Sequence, residues 1–284
     1  MRSGFLILSA VSLLSPPAFA QDALVSQALP QIAKQASIFW RTAPGYLAKE
    51  TLKQRAAVQP KRKFRIGGGA IDPPKPELKD REIVSFYAVS SFRNAPEALH
   101  EFRQIVSVDG KPVAAEAGIL EKFHATLTAA DDRSKKSLQA DFEKTGLTIA
   151  ATDFGQLVLL FTKNNLEKYT FEPKSTELVG ADRAIVIAFR QNNGEESFRI
   201  VEAGKQVNEP LSGELWVRDS DFMPLRITLN ATRQDGHETI RDEARVDYEL
   251  KANGILLPAA VVYRRFRNDE LSVENVYEYS DWQP

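Results

Sequence analysis

The side chains best suited to acid–base or metal chemistry in this chain are three histidines, His100, His124 and His237. A zinc-binding helix needs two histidines four residues apart with a glutamate beside the first. The run from His100 to Gln104 lacks the second histidine and has the composition of the start of a strand. His124 falls on an amphipathic helical stripe and His237 follows a turn, positions typical of structural or surface histidines. We therefore expect no metal centre.

Motifs for nucleophilic or phosphate chemistry are also missing from the sequence. The chain has no cysteine, which excludes thiol chemistry and disulfides. It has no Gly-x-Ser-x-Gly elbow, the setting of a hydrolase serine. The triplet at residues 67–69 lacks a following Gly-Lys-Ser/Thr, and Asp72 stands where a dinucleotide fingerprint would have its third glycine. These absences predict a protein without a cofactor.

Two pairs of carboxylates could in principle serve acid–base chemistry, Asp131 with Asp132 and Asp219 with Asp221. Each pair occurs in a turn-like context, where aspartate is favoured because it bonds to nearby backbone groups. A working pair also needs environments that shift its pKa values. We interpret both pairs as turn residues, which leaves the sequence without an enzymatic site.

Basic residues cluster at residues 61–65 (KRKFR) and 264–267 (RRFR). They could contact an anionic headgroup, but a solvated loop and an ordinary strand end fit the charge pattern better. The formal net charge of the whole chain is −1. This balance gives no general attraction to nucleic acid.

The first twenty residues have the pattern of a cleavable secretory signal. Arg2 precedes an apolar run at residues 5–14, and small residues at Ala18 and Ala20 suit a signal peptidase. No later apolar run approaches the roughly 20 residues of a membrane-spanning helix. The sequence thus predicts a signal peptide at 1–20, cleavage after Ala20, and a mature protein that is periplasmic or secreted.

The elements that would position any site begin with a helix. Between residues 22 and 40, apolar residues recur every three or four positions, which predicts one amphipathic helix. A second, weaker helix is predicted over residues 46–57, followed by a Gly/Pro-rich excursion at 58–79. Residues 81–113 have the composition of a β-hairpin, and residues 114–167 that of an insert of two or three helices.

From residue 168 to the end, short segments alternate apolar and polar residues between turn signals. The turns fall at Asp235-Gly236, Asn253-Gly254 and Asn268-Asp269. Strands in sequence order joined by short turns form an antiparallel meander with one buried face. We therefore predict a single α+β domain over 21–284, a curved antiparallel sheet forming an incomplete barrel covered by helices.

Particular segments of the chain look like known families. Residues 102–113 (FRQIVSVDGKPV) resemble a strand and turn of uncharacterised exported bacterial proteins. Residues 213–227, 257–263 and 277–282 are similar to late strands of the outer-membrane lipoprotein carrier superfamily, where a polar turn separates Trp-Val/Ile-Asp from Pro-Leu/Val-Arg. This resemblance covers most of residues 81–282. It implies a curved half-barrel closed by helices, with an apolar cavity for acyl chains.

The first functional hypothesis is a non-enzymatic binding protein that holds a lipid or a lipidated protein. An apolar site of this kind binds by excluding water, so no polar motif need mark it. Its candidate lining comes from the helical insert and from the apolar face of the meander, although ordinary core packing explains the same residues: Phe154, Leu157, Phe161, Leu225, Ile227, Leu229, Val246, Tyr248, Val261 and Tyr263.

Two other hypotheses remain open. The chain could be an envelope sensor or assembly factor that binds another protein through an exposed strand edge or apolar patch. It could also be a periplasmic hydrolase whose site has no recognised motif. The sequence does not decide among the possible ligands.

Overall fold

The computed structural model describes residues 18–58, 76–113, 118–129, 131–149, 152–192, 200–202, 205–207, 211–251 and 254–284. Most of the predicted signal peptide and most of the Gly/Pro-rich excursion lie outside these ranges. The described part has three α-helices: α1 (Ala18–Thr42), α2 (Ile119–Thr128) and α3 (Arg133–Glu143). None of the helices in this part is long and apolar enough to cross a membrane.

Most of the described chain is β-structure, arranged in one antiparallel sheet of eleven strands and a separate hairpin. In chain order the strands are β1 (Leu47–Val58), β2 (Glu77–Phe92), β3 (Ala95–Val108), β4 (Lys111–Pro112), β5 (Tyr169–Val179), β6 (Asp182–Gln191), β7 (Ile200–Glu202), β8 (Lys205–Val207), β9 (Ser212–Arg218), β10 (Pro224–Asp235), β11 (Glu238–Leu250), β12 (Leu256–Arg267) and β13 (Glu270–Gln283). Strands β7 and β8 form the separate hairpin.

The large sheet is open and is built from two runs of neighbouring strands. Its order is β4-β3-β2-β1-β13-β12-β11-β10-β9-β6-β5, so the first strand pairs with the last in the middle of the sheet. The meander and the β2–β3 hairpin predicted from the sequence are confirmed. Strands β4 and β5 are the two edges, and the chain between them carries α2 and α3 from one edge to the other.

Helix α1 packs on one face of this sheet, which we call the inner face. Its buried residues Ala28, Ile32, Ala36 and Phe39 repeat at helical spacing and join the main apolar core, as the periodicity predicts. On the opposite face a smaller apolar cluster joins α2 and α3 to Phe102 and its neighbours on β1 and β2. Both faces of the β1–β3 region are therefore covered.

The helix predicted over residues 46–57 is wrong, because this segment is strand β1. Its residues favour helices, yet the segment has antiparallel partners on both sides, β2 and β13. Burial alternates along it, with Glu50, Leu52 and Gln54 inside and Lys49 and Lys53 outside. Tertiary pairing overrides helix propensity here. Because two of the inward residues are polar, the hydrophobicity of this segment does not alternate with the period of two that indicates a strand.

The helical insert is confirmed for α2 and α3, and its third segment takes another form. Residues 157–161 form a short 3₁₀ helix, Leu157–Phe161, and a second 3₁₀ turn spans Leu166–Lys168. The main core contains Phe142 of α3 and Phe123 lies in the cluster of the opposite face. The insert therefore contacts both faces of the sheet.

Candidate functional site

Residues 152–161, which we call the strap, lie over the inner face of the sheet. The strap belongs to no strand, and its 3₁₀ helix packs against α1 and β10. Its aromatic side chains are buried: the Phe154 ring lies 5.2 Å from that of Tyr263, and the Phe161 ring 4.9 Å from that of Phe189. The strap and α1 together cover the apolar part of the inner face.

The structure brings nine of the ten predicted lining residues into one buried apolar cluster. The strap contributes three of them, and β10, β11 and β12 contribute the rest. One hydrogen bond crosses the cluster, from the Val158 backbone N–H to the Tyr248 hydroxyl at 3.0 Å. The nine residues are Phe154, Leu157, Phe161, Ile227, Leu229, Val246, Tyr248, Val261 and Tyr263.

Leu225 is the exception, although its spacing from Ile227 and Leu229 predicts the same face. It packs in a separate small cluster with Ala184, Val186 and Trp216. The pairing of β10 with β9 shifts register between Pro224 and Arg226, and such a bulge interrupts the alternation of side chains. The period of two therefore holds only beyond this point.

A group of buried charges lies beside the strap on the same face, formed by Glu50, Glu101 and Arg103. We call it the Arg103 cluster. The Arg103 guanidinium donates to both oxygens of Glu50, at 2.7 and 2.8 Å, and to Glu101 Oε2 at 2.8 Å. All three side chains are at most 1% exposed. Two carboxylates thus share one guanidinium away from water.

Glu101 connects this cluster to the strap. Its Oε1 accepts hydrogen bonds from the Tyr87 hydroxyl at 3.0 Å and the Gly155 N–H at 2.7 Å, and its Oε2 accepts the Asp153 N–H at 3.0 Å. The connection is reciprocal, since the Glu101 N–H donates to Asp153 Oδ1 at 2.9 Å. Four donors, two of them from the strap backbone, converge on one carboxylate.

The electrostatics of Glu101 reflect this crowded and dry position. Burial raises the pKa of the Glu101 carboxyl above its ordinary value. Arg103 opposes this shift, while the charges of Asp153 and Glu50 add to it. Aromatic rings surround the guanidinium, with Arg103 Cζ 4.7 Å from the centroid of Phe142. The ionised cluster carries a net charge of −1.

A second polar anchor holds the chain just before the strap. The Gln54 side chain accepts the Thr148 N–H at 2.8 Å and donates to the Ile149 carbonyl at 3.1 Å. The Asn275 amide donates to the same carbonyl at 3.1 Å. Side chains of β1 and β13 therefore take the place of a strand partner for this irregular segment.

Sequence patterns missed the Arg103 cluster because it follows no catalytic or metal spacing. A weaker signal was present. On β3, Glu101, Arg103 and Ile105 have the same parity, so a strand that buries Ile105 also buries both charges. Charged residues on the apolar parity of a strand are expensive and usually have a partner.

The histidines show no catalytic or metal arrangement within the described residues. His100 lies within β3 instead of at a strand start, and its Nδ1 is 3.4 Å from Asp153 Oδ2. His124 and His237 are exposed. No group of three or more potential metal ligands occurs among the described residues. Of the paired aspartates, Asp131, Asp219 and Asp221 contact arginine side chains, and Asp132 accepts the backbone N–H groups of Arg93 and Asn94.

The basic run at 264–267 is neutralised by carboxylates, and the run at 61–65 lies outside the described residues. Arg264 contacts Glu274 at 2.6 Å and Arg267 contacts Glu238 at 2.7 Å. Arg265 is fully buried and donates to Asp242 at 2.7 Å. The described run therefore stabilises the sheet and offers no anion site.

A groove of about 680 Å³ opens on the opposite face of β1–β3, away from the strap. Lys49, Phe86, Val106 and Ile119 are among its lining residues. The predicted lining residues of the inner face do not contribute to this groove.

Comparisons with known proteins find similar chains only among solved structures. No protein-family model and no curated protein matches the chain. Among solved structures, it is similar to a DUF1329 family protein from Desulfovibrio piger ATCC 29098 (10% identity, 91% of this chain and 92% of that one, TM-score 0.36). It is also similar to a putative outer membrane lipoprotein-sorting protein domain from Vibrio parahaemolyticus (9% identity, 89% and 92%, TM-score 0.31).

A third similar structure is the MucA/MucB complex of Pseudomonas aeruginosa (11% identity, 90% of this chain and 98% of that one, TM-score 0.22). A lipoprotein-sorting protein domain is thus among the structural neighbours of the chain, at low sequence identity and low TM-score. None of these similarities identifies a ligand or a partner for this chain.

Proposed function

We propose that this chain is an exported, non-enzymatic binding protein that acts in the periplasm or outside the cell. Its ligand is apolar or amphiphilic, such as a lipid or a lipidated protein. The ligand lies against the inner face of the sheet, which forms a curved, incomplete barrel. The nine clustered residues of the strap and of strands β10–β12 provide the apolar lining.

One observation carries this proposal: the apolar inner face is covered by irregular chain that takes no part in the sheet. Moving the strap breaks none of the hydrogen bonds between the eleven strands. An acyl chain that replaces the strap restores apolar burial at roughly 0.8 kcal/mol per buried CH₂ group. A site of this kind can be full in the free protein and still accept a ligand.

The test is uptake of an acyl chain by the purified full-length protein. The protein is mixed with cis-parinaric acid, whose fluorescence rises in an apolar environment, and native mass spectrometry determines the stoichiometry. We expect a saturable signal and a mass adduct of one or a few chains. A protein that takes up neither this probe nor phospholipid from vesicles would refute the proposal.

Neighbouring valines on β12 supply a matched pair of variants. Val261 is 1% exposed and belongs to the inner cluster, whereas Val262 points to the other face of the sheet. Val261→Phe fills space that the ligand would use and should weaken uptake. Val262→Phe adds the same bulk elsewhere and should leave uptake unchanged. Thermal unfolding of both variants shows whether they remain folded.

A second candidate function, binding to another envelope protein, is favoured by the edge strand β5. Among the strands that the structure describes, β5 pairs with β6 alone, and its Leu178 side chain is 75% exposed. A partner could add a strand to this edge. Co-purification of a specific protein that is lost in Leu178→Glu, but kept in the control Val113→Glu at another exposed apolar residue, would support this candidate.

A further inference from the structure

The strap is attached to the sheet by polar contacts that are concentrated at one end. At that end Asp153 and Gly155 bind Glu101, and the Gln156 amide donates to the Leu99 carbonyl at 2.8 Å. Farther along, contacts are mainly apolar, apart from the bond between Val158 and Tyr248. Apolar contacts can be exchanged for others, so the polar end decides whether the strap stays in place.

Only an ionised carboxylate matches what surrounds Glu101. Both of its oxygens face two donors each: Tyr87 and Gly155 for Oε1, Arg103 and Asp153 for Oε2. An amide would turn its NH₂ group either towards the Gly155 N–H or towards Arg103 and the Asp153 N–H, and none of these groups can accept a hydrogen bond. A buried donor without an acceptor costs about 1–3 kcal/mol. Glutamine at this position therefore weakens the attachment of the strap although its shape is almost the same.

The strap residue in this contact, Gly155, also has little tolerance for substitution. A Cβ atom on Gly155 would lie 2.8 Å from Glu101 Oε1 and 2.8 Å from the Tyr87 hydroxyl, with Pro258 Cγ at 3.2 Å on the other side. A side chain there forces the strap, Glu101 or Tyr87 to shift, and each of these movements disturbs the contact between Glu101 and the strap. Glycine allows the backbone N–H to approach the carboxylate directly.

Closing the strap also has an electrostatic cost, which is reduced when the strap opens. In the closed structure the net negative Arg103 cluster is buried, and ionised groups are poorly solvated in the protein interior. The raised pKa of Glu101 is consistent with this cost. The charged groups that face Glu101 are Arg103 on its own strand, Glu50 on β1 and Asp153 on the strap.

We propose that residues 152–161 form a lid that is latched by the Glu101 carboxylate and that opens while the eleven-stranded sheet remains folded. Release of the Asp153 and Gly155 N–H groups from Glu101 is the opening step. The lid would give the ligand of the proposed function its entrance, but the device itself does not depend on that function and is testable without a ligand.

The experiment uses thiol labelling, which is clean because the chain has no cysteine. Val158→Cys places a reporter within the lid at a buried position, and Val186→Cys places one in the apolar cluster of Leu225, away from the strap; both valines are at most 1% exposed. The full-length protein is labelled with Ellman's reagent. In the Glu101→Gln background we expect labelling at position 158 to accelerate at least about tenfold, with position 186 unchanged.

Gly155→Ala should give the same result from the strap side, which keeps the test valid if Glu101→Gln does not fold. The matched controls are Glu97→Gln, an exposed glutamate on the same strand, and Gly45→Ala, where a Cβ meets open space. Equal acceleration at positions 158 and 186 would show global unfolding and overturn the lid. Unchanged labelling at position 158 in folded variants would overturn the latch. Loss of parinaric acid uptake alone would bear on the proposed function only.

Discussion

Replacing Arg103 by methionine should destabilise the fold far more than replacing an exposed arginine. The variant loses three hydrogen bonds to carboxylates, of 2.7–2.8 Å, and leaves Glu50 and Glu101 buried without a cation. Breaking a buried ion pair from one side costs about 3–5 kcal/mol. Since Met retains an apolar stem that can pack against the ring of Phe142, most of this loss is electrostatic.

The substitution of Arg103 should destabilise the two carboxylates to different extents. Glu101 keeps the hydroxyl of Tyr87 and the two strap N–H groups as donors, whereas Glu50 keeps only the Ser85 hydroxyl at 3.2 Å. A second substitution, Glu50→Gln, should therefore restore more stability to the Arg103→Met protein than Glu101→Gln does. The difference in the free energy of unfolding between the two double variants measures how much the strap N–H groups stabilise the Glu101 carboxylate.

Urea unfolding followed by tryptophan fluorescence gives the free energy of unfolding of each variant. The control is Arg245→Met, whose guanidinium is 44% exposed and 3.2 Å from Asp247, and it should cost less than about 1 kcal/mol. In Arg103→Met the Glu101 carboxylate loses the cation that opposes its raised pKa and binds a proton more tightly in the folded state, so the loss of stability should shrink as the pH falls. An Arg103→Met loss as small as that of the control would refute a buried, coupled cluster.

Two further predictions concern other parts of the sheet. Gly213→Ala should be strongly destabilising in a thermal melt, because a Cβ atom there would lie 2.1 Å from the Thr228 carbonyl oxygen, a backbone atom that cannot rotate away; Gly45→Ala, in open space, should be close to neutral. Alkaline unfolding should begin once tyrosines ionise in the unfolded chain. Burial raises the pKa of five tyrosines, so each adds up to about 1.4 kcal/mol of lost stability per pH unit above a pH of about 10. Most of the tyrosinate absorbance should rise together with loss of the far-ultraviolet circular dichroism signal, and titration of more than two of the seven tyrosines before unfolding would contradict this. These residues are Tyr87, Tyr248, Tyr263, Tyr277 and Tyr279.

The late strands were predictable from sequence because local signals and tertiary structure agree there. Strands β10 and β11 alternate buried and exposed residues along most of their length, and the Asp235-Gly236 turn joins them. Gly236 has a φ of 62°, which glycine adopts without strain. Where a bulge interrupts the ladder, at Leu225, the same alternation assigns a residue to the wrong cluster.

The region around the strap was not predictable for a different reason. Strand β1 buries Glu50 and Gln54, so its inward parity does not look apolar, and its residues favour a helix. The strap itself is an irregular segment whose position depends on partners about 50 to 95 residues away in the chain. Hydrophobic periodicity identifies a regular helix or strand and its apolar face. The strap is not regular and the side chains that hold it are polar, so periodicity does not detect these contacts.

The buried polar side chains that make this region hard to predict from sequence patterns are also the side chains that hold the strap. An irregular segment packed on a sheet has backbone N–H groups without strand or helix partners, and burying them unpaired is costly. An apolar side chain on the sheet cannot accept a hydrogen bond, so the inward positions that face these unpaired N–H groups must be polar. Glu101 accepts the N–H groups of Asp153 and Gly155, and Gln54 accepts that of Thr148. Arg103 then becomes necessary because two carboxylates on neighbouring inward positions need a cation. The buried charge of the Arg103 cluster is thus a consequence of covering this part of the sheet with a strap instead of another strand.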